Sequence, residues 1–464
     1  MQVGSVSCLP PSCAVPSIRK PINKSIRKRI RKPFNLLCRA TAVLTAFLAV
    51  AAPITAAGLP ETAAQGAGQP ASLDVDLPRA LGLLAERNRE LQAARRRVEA
   101  ARADIVIAGQ RPNPVLSVGA STPFRTDMNR VSASGIGTRV EQVFERGNRR
   151  ALRIAVAEQS RLASESDIGE VTRVQRLLAA QSLFNLKQAE QRVAVNLDTE
   201  SILQRLVDAM QLRLKAGDIA PADLNRVRVE RERARNDTLV ADADRRQAQA
   251  DLAFLIGLEA DSGRLRSVEP WPLPVFPALG TDLAASLDAR ADVRAAQFRL
   301  AAAERNRELA RSLSTRDFSL SAGVDRSMPE SGNSYLSIGV AIPLFAYHRF
   351  EGERQRAEAD YYAAFDEVAR VRAAALTEST RARDALASAA ERSARYRNEL
   401  LALAERSATA IEFAYRNGAV GLIDLLDARR TLQATRLDAA DADADHARAL
   451  AAWQAVTQAA GDSR

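Results

Sequence analysis

Leu336-Ser337-Ile338-Gly339-Val340-Ala341-Ile342 alternates apolar with small or polar residues, and from 346 the chain runs to 417 without a proline before it meets Gly418. A period of two marks a strand with unlike faces. Leu336, Ile338, Val340 and Ile342 fall on one face, and Ser337, Gly339 and Ala341 on the other. The preceding strand has the same design, with Phe318, Leu320, Ala322 and Val324 opposite Ser319, Ser321, Gly323 and Asp325. Strands of about 9–11 residues cross a bilayer when tilted. A soluble two-sheet domain shows the same alternation, so the pattern needs its context.

That context is a long helix. Residues 346–417 span 72 positions rich in Ala, Arg, Leu and Glu, about 108 Å if helical throughout. The plan also occurs earlier. Leu116, Val118 and Ala120 alternate with Ser117 and Gly119; Ile136, Thr138 and Val140 alternate with Gly137, Arg139 and Glu141; a proline-free stretch over 145–216 then ends at Gly217. Strands are expected at about 114–124, 134–144, 316–325 and 335–345. Solvent-exposed loops are expected at Arg125–Ala133 and Arg326–Ser334.

Each strand pair follows an amphipathic helix, 77–109 in the first copy and 281–313 in the second. Each long helix is followed by a shorter return helix, about 222–256 and 422–458. Leu91–Ala101 matches Val293–Ala303 at an offset of 202, Leu116-Ser117 matches Leu320-Ser321 at 204, Val140 matches Val340 at 200, and Gly217 matches Gly418 at 201. Such constancy indicates an internal duplication.

The net charge of +10 is concentrated at one end. Residues 1–40 hold nine of the 66 Lys and Arg and no acid, which leaves 57 basic against 56 acidic residues in the remainder. A nearly neutral body does not fit nucleic-acid binding. The basic arm, the apolar run Ala40–Ala52 and the small residues Thr55-Ala56-Ala57 read as a secretory signal peptide. Cys8, Cys13 and Cys38 all precede that cleavage region. After 57 no apolar stretch approaches the length of a spanning helix, so any bilayer crossing must use strands. The organisation expected is 1–57 signal peptide, 58–74 flexible mature terminus, 75–268 first repeat, 269–280 proline-rich connector, 281–458 second repeat and 459–464 tail.

Four strands leave two open edges, which hydrocarbon does not tolerate, and a barrel of the outer-membrane type needs at least about eight strands. Several copies must share one barrel; three copies supply twelve strands. The helices, with Ala, Leu and Val seams and charged opposite faces, suit lateral packing around a water-filled channel. An elongated coiled-coil scaffold with no lumen remains the alternative on these residues alone.

Several segments carry a family resemblance. Val140-Glu141-Gln142-Val143-Phe144-Glu145-Arg146-Gly147-Asn148-Arg149-Arg150 and Ile342-Pro343-Leu344-Phe345 with Arg349-Phe350-Glu351-Gly352-Glu353 are strand-to-helix junctions. Ala216-Gly217-Asp218-Ile219-Ala220-Pro221-Ala222-Asp223-Leu224 is a tip turn. The most specific is Ala414-Tyr415-Arg416-Asn417-Gly418, followed by Leu425-Leu426-Asp427-Ala428-Arg429-Arg430-Thr431-Leu432-Gln433. Over roughly 75–458 the chain resembles outer-membrane efflux channels of the TolC family, most of all the CzcC-type branch; His348 stands at a junction that is often rich in Asn and Arg there.

The resemblance implies a homotrimer whose twelve-stranded barrel in outer-membrane lipid continues into a periplasmic α-helical tunnel. It implies a periplasmic adaptor and an inner-membrane pump of the resistance-nodulation-division type as partners. The CzcC-like junctions imply divalent cations such as cobalt, zinc or cadmium as cargo. Efflux of drugs or other organic solutes, or type I protein secretion, through the same architecture is the alternative.

Asp424 and Asp427 are three residues apart and share a helical face. Their residue-level reading is either ordinary first-turn carboxylates facing the helix dipole or, by resemblance, an acidic ring at the periplasmic aperture. The first copy has Asp223 and Arg226 at the matching positions, and Arg226 is a candidate partner for Asp427 of a neighbouring helix. Gly217 and Gly418 suit tight interhelical turns at 217–221 and 418–421. Around them Asp218, Ile219, Asn417, Ala419 and Val420 are candidates for adaptor contact or plain solvated caps. No catalytic constellation, cofactor motif or metal-ligand cluster is legible; beyond the signal segment the histidines are His348 and His446 alone.

Overall fold

Alternation along the strands becomes two unlike sheet faces in the computed structural model, which describes residues 72–121, 134–276, 287–328 and 333–457. The segments expected to be the signal peptide, most of the flexible terminus, the loop at 125–133, the middle of the loop at 326–334 and the tail fall outside the described residues. Strands β2 (Val115–Ser121), β3 (Ser134–Phe144), β5 (Phe318–Met328) and β6 (Ser334–Ala341) form one antiparallel sheet in that order. Register aligns Leu116, Val140, Ala322 and Ile338 across it, and next to them Val118, Thr138, Val324 and Leu336. These rows make an apolar face that nothing among the described residues covers: Ile338 is 79% exposed and Leu336 73%.

Ser117, Arg139, Gly323 and Ser337 form a row on the opposite face, next to Gly119, Gly137, Asp325 and Tyr335. The small residues there have steric reasons. A Cβ on Gly323 would lie 2.8 Å from the Thr138 carbonyl oxygen and 3.0 Å from Ser337 Oγ. β2 and β6 each keep one edge unpaired among the described residues.

Two helical hairpins extend from the sheet. In the first, α3 (Arg149–Lys215) runs 67 residues and α4 (Pro221–Ile256) returns. In the second, α6 (Glu351–Arg395), a π-turn (Tyr396–Leu400) and α7 (Leu401–Arg416) run outward, and α8 (Leu422–Thr457) returns. The descending helix of this copy is thus not the uninterrupted run that its proline-free sequence suggests. The π-turn lies where Ser393 Oγ and Arg397 Nε both donate to Asp443 Oδ1 on α8, each at 2.7 Å. One inserted residue shifts the register beside a buried polar contact. One turn further along α8, Nε2 of the fully buried His446 accepts the Val275 N–H at 3.3 Å, and burial lowers the proton affinity of the ring.

The leading helix of the first copy is also divided. Asn88, buried, ends α1 (Leu77–Arg87) and caps α2 (Arg89–Ala108) by accepting the Leu91 N–H at 3.0 Å, while its amide donates to the Leu255 carbonyl. In the second copy α5 covers Ala291–Ser312, shorter than the 281–313 expected, and 277–286 lies outside the described residues. A short strand β1 (Leu73–Val75) pairs in parallel with β4 (Leu265–Ser267). It takes in Leu73 and Asp74, which composition places in the flexible terminus, because Val75 is buried with Leu183, Leu186, Leu252, Ile256 and Leu265. Strand pairs this short carry no period, so neither was legible beforehand.

Candidate functional site at the hairpin tips

Both hairpins reverse through the same cap. After α3, the Asp218 N–H bonds to the Arg213 carbonyl at 2.9 Å and the Gly217 N–H to Leu214 at 3.0 Å; after α7, Ala419 bonds to Ala414 at 2.9 Å and Gly418 to Tyr415 at 3.0 Å. This is a Schellman motif, and it needs a left-handed residue in the glycine position. Gly217 and Gly418 supply it with φ of 83° and 73°.

The tips are held against one another. Val207, Met210, Leu224 and Val227 make a buried cluster against which Ile219 and Leu422 pack, and Leu426 joins Leu203 and Ala234 one turn along. Ile219, a candidate for adaptor contact, is thus half-buried in the tip's own core, as Val420 is half-buried beside Gly418. Asp218, Asn417 and Ala419 are exposed. Asn417 donates its side-chain amide to the Phe413 carbonyl at 2.8 Å.

The four acidic and basic candidates have unlike surroundings. Asp424 reaches back as the third residue of α8 and accepts the Gly421 N–H at 3.0 Å, half of a capping box. Asp427 is open, with its side chain 64% exposed, and meets Arg430 at 3.4 Å. Asp223 lies in the first turn of α4, and Arg226 is exposed one turn further. Among the described residues of one chain, no ion pair joins Arg226 to Asp427.

The contact that does tie the hairpins was not anticipated. Arg430 grips Glu230 of α4 with two bonds, Nη2 to Oε1 at 2.6 Å and Nε to Oε2 at 3.2 Å. The hydrogen bond to Glu230 raises the guanidinium's proton affinity further. Above it Gln433 donates to Asn196 at 3.2 Å, and Arg436 bridges Asp198 and Glu405. At the end, Arg213 Nη1 lies 3.5 Å from Tyr415 Oη. Opposite charges do stand at nearly equivalent places in the two return helices, Glu230 and Arg430, but so many pairs in this chain do that the pattern marks none of them. Leu212, Phe413 and Ile423 are apolar yet 67%, 71% and 55% exposed near the tips; single apolar residues among charges gave no pattern to read.

Among the described residues no group of three or more His, Cys, Asp or Glu is placed to hold a metal ion. No described helix is long and apolar enough to cross a membrane. An uncovered apolar sheet face that continues into two long hairpins with paired tips defines a membrane duct with a helical extension.

The family follows from comparison. The sequence profile described as Outer membrane efflux protein matches twice, over 80–258 and 283–462, and the chain belongs to that family. The cobalt-zinc-cadmium resistance protein CzcC of Cupriavidus metallidurans is 27% identical over 416 residues, 88% of this chain and 95% of that one. Among solved structures, CusC matches with a TM-score of 0.69 at 20% identity, over 85% of this chain and 95% of the other. The Campylobacter jejuni CmeC outer membrane channel matches with a TM-score of 0.72 at 16% identity, over 83% and 86%. The fold is that of the TolC-like outer membrane channels, and the protein is an outer membrane efflux channel with its helical part in the periplasm.

Proposed function

We propose that three copies close one twelve-stranded barrel and that the duct passes divalent heavy-metal cations from a periplasmic adaptor and an inner-membrane pump of the resistance-nodulation-division type to the exterior. The observation that carries closure is the pairing deficit: four strands with an apolar face and two open edges. Unpaired backbone groups in hydrocarbon cost several kcal/mol each, and identical neighbours relieve that by joining β6 of one copy to β2 of the next. Support for the cargo comes from likeness to CzcC along nearly its whole length. Deletion of the gene is expected to lower tolerance to cobalt, zinc or cadmium; unchanged tolerance to all three, with altered tolerance to organic toxicants, would replace metal by organic cargo.

In this reading the tips form the periplasmic aperture. Asp427, open to solvent, supplies the charge that cations meet, and Asp424 serves helix and aperture together. Arg430 and Glu230 hold the hairpins closed until the adaptor engages Gly217, Asp218, Asn417, Gly418 and Ala419, with Leu212, Phe413 and Ile423 adding apolar area. D427N is expected to weaken cation preference in single-channel recordings while leaving stability unchanged. D424A is expected to cost about 0.3–1 kcal/mol through loss of a first-turn carboxylate at the positive end of the helix. An identical cation preference in wild type and D427N would remove Asp427 from the conduction path.

A further inference from the structure

The apolar face of the sheet ends abruptly at its helical end. Phe144 and Phe318 are register partners there, their rings stacked with centroids 5.3 Å apart. Two residues beyond Phe144 is Arg146, and two before Phe318 is Arg316, so both keep the parity of the apolar rows. The strands stay adjacent past the last ladder pair: the Arg146 N–H donates to Asp317 Oδ1 at 2.9 Å, and a Cβ on Gly147 would lie 3.0 Å from Thr315 Cβ. Arg146 and Arg316, both exposed, thus stand across from one another where the apolar rows give way to the helices.

Neither has a carboxylate partner among the described residues. Asp317 is taken by Arg149 Nη1 at 2.6 Å, and Glu145 by Arg153 at 2.5 Å. Arg316 instead lies over the Phe345 ring, 5.5 Å from its centroid. The segment after β6 adds exposed apolar matter at the same level, with Leu344 79% exposed and Tyr347 fully exposed. Side chains of this type, with an aromatic body and a polar end, settle at bilayer interfaces.

We propose that Arg146 and Arg316 bind the phosphate of an anionic phospholipid in the periplasmic leaflet, with Leu344 and Tyr347 seated at the boundary between headgroups and acyl chains. Cations on facing strands whose neighbouring acids are already paired with Arg149 and Arg153 repel one another, and a phosphate relieves this by accepting charge-assisted bonds from both. The helical end of the strands faces the periplasm, so the source is the phospholipid of that leaflet and not lipid A of the outer one. The site is independent of what travels through the lumen.

Native mass spectrometry of the detergent-purified protein, titrated separately with phosphatidylglycerol, phosphatidylethanolamine and lipid A, tests this. Wild type is expected to retain phosphatidylglycerol over phosphatidylethanolamine by about fivefold or more, the scale for one basic residue at an anionic surface. R146Q/R316Q is expected to bring that ratio near one. Equal retention by wild type, an unchanged ratio in the variant, or stronger retention of lipid A than of phosphatidylglycerol would overturn the proposal. Should the variant not assemble, wild type alone decides, because the preference must fall between about 50 mM and about 500 mM salt as screening shortens, and a salt-independent preference contradicts it.

Discussion

Ile338→Arg is expected to abolish assembly into the outer membrane, whereas Ser337→Arg, its immediate neighbour, leaves assembly intact. Ile338 is in the apolar row with Leu116, Val140 and Ala322, and Ser337 is in the polar row with Arg139 and Gly323. An arginine on the lipid face near mid-depth costs about 2–4 kcal/mol, while one on the lumen face remains hydrated. The check is the amount of each variant recovered in the outer-membrane fraction by immunoblot. Similar recovery of both would mean that the face with Ile338 does not contact lipid.

Arg290→Met is expected to destabilise the helical body. Arg290 is 2% exposed, binds Asp292 at 2.9 Å and Glu378 at 2.8 Å, and so ties the start of α5 to α6; Arg173 of α3 meets the same Glu378 at 2.9 Å. Removing the buried guanidinium leaves half-buried Asp292 without its cation, while Glu378 keeps Arg173 and some solvent, so the loss is about 1–3 kcal/mol. The pH dependence follows from the carboxyls. Burial alone would raise Asp292 and Glu378, but the hydrogen bonds from Arg290 and the nearby positive charges overcome it and hold both below their ordinary values. Stability from depressed carboxyls is complete above the unfolded value, about 4, and disappears as pH falls through the lower folded value. In urea unfolding the gap between wild type and R290M is therefore largest at neutral pH and narrows below about pH 4. A gap that is constant down to pH 3, or missing at neutral pH, would contradict the assignment.

Much of the fold is legible because it is periodic. Leu336 to Ile342 alternates without error, and the duplication lets each weak strand support its counterpart, since Val140 and Val340 belong to matching strands in both copies. What escaped is aperiodic. The division at Asn88 depends on an amide that finds Leu255, 167 residues away, and the π-turn at Tyr396 depends on Asp443 across the hairpin. Helix propensity reports neither.

The tips divide the same way. Gly217 and Gly418 announce their turns, because a left-handed cap favours glycine. Asp424 and Asp427, alike in sequence, separate only in three dimensions, where one bonds a backbone N–H and the other faces water. The clasp between Glu230 and Arg430 joins residues 200 apart, and a chain with 66 basic and 56 acidic residues offers too many such pairs to single one out.

In the proposed channel the apolar sheet is sealed by sister copies within lipid. The mass of the protein particle extracted from outer membranes in mild detergent, with bound detergent subtracted by light scattering, measures this directly. Three chains per particle are expected, with no stable population in the aqueous fraction. A single processed chain, monodisperse in water without detergent, would contradict it.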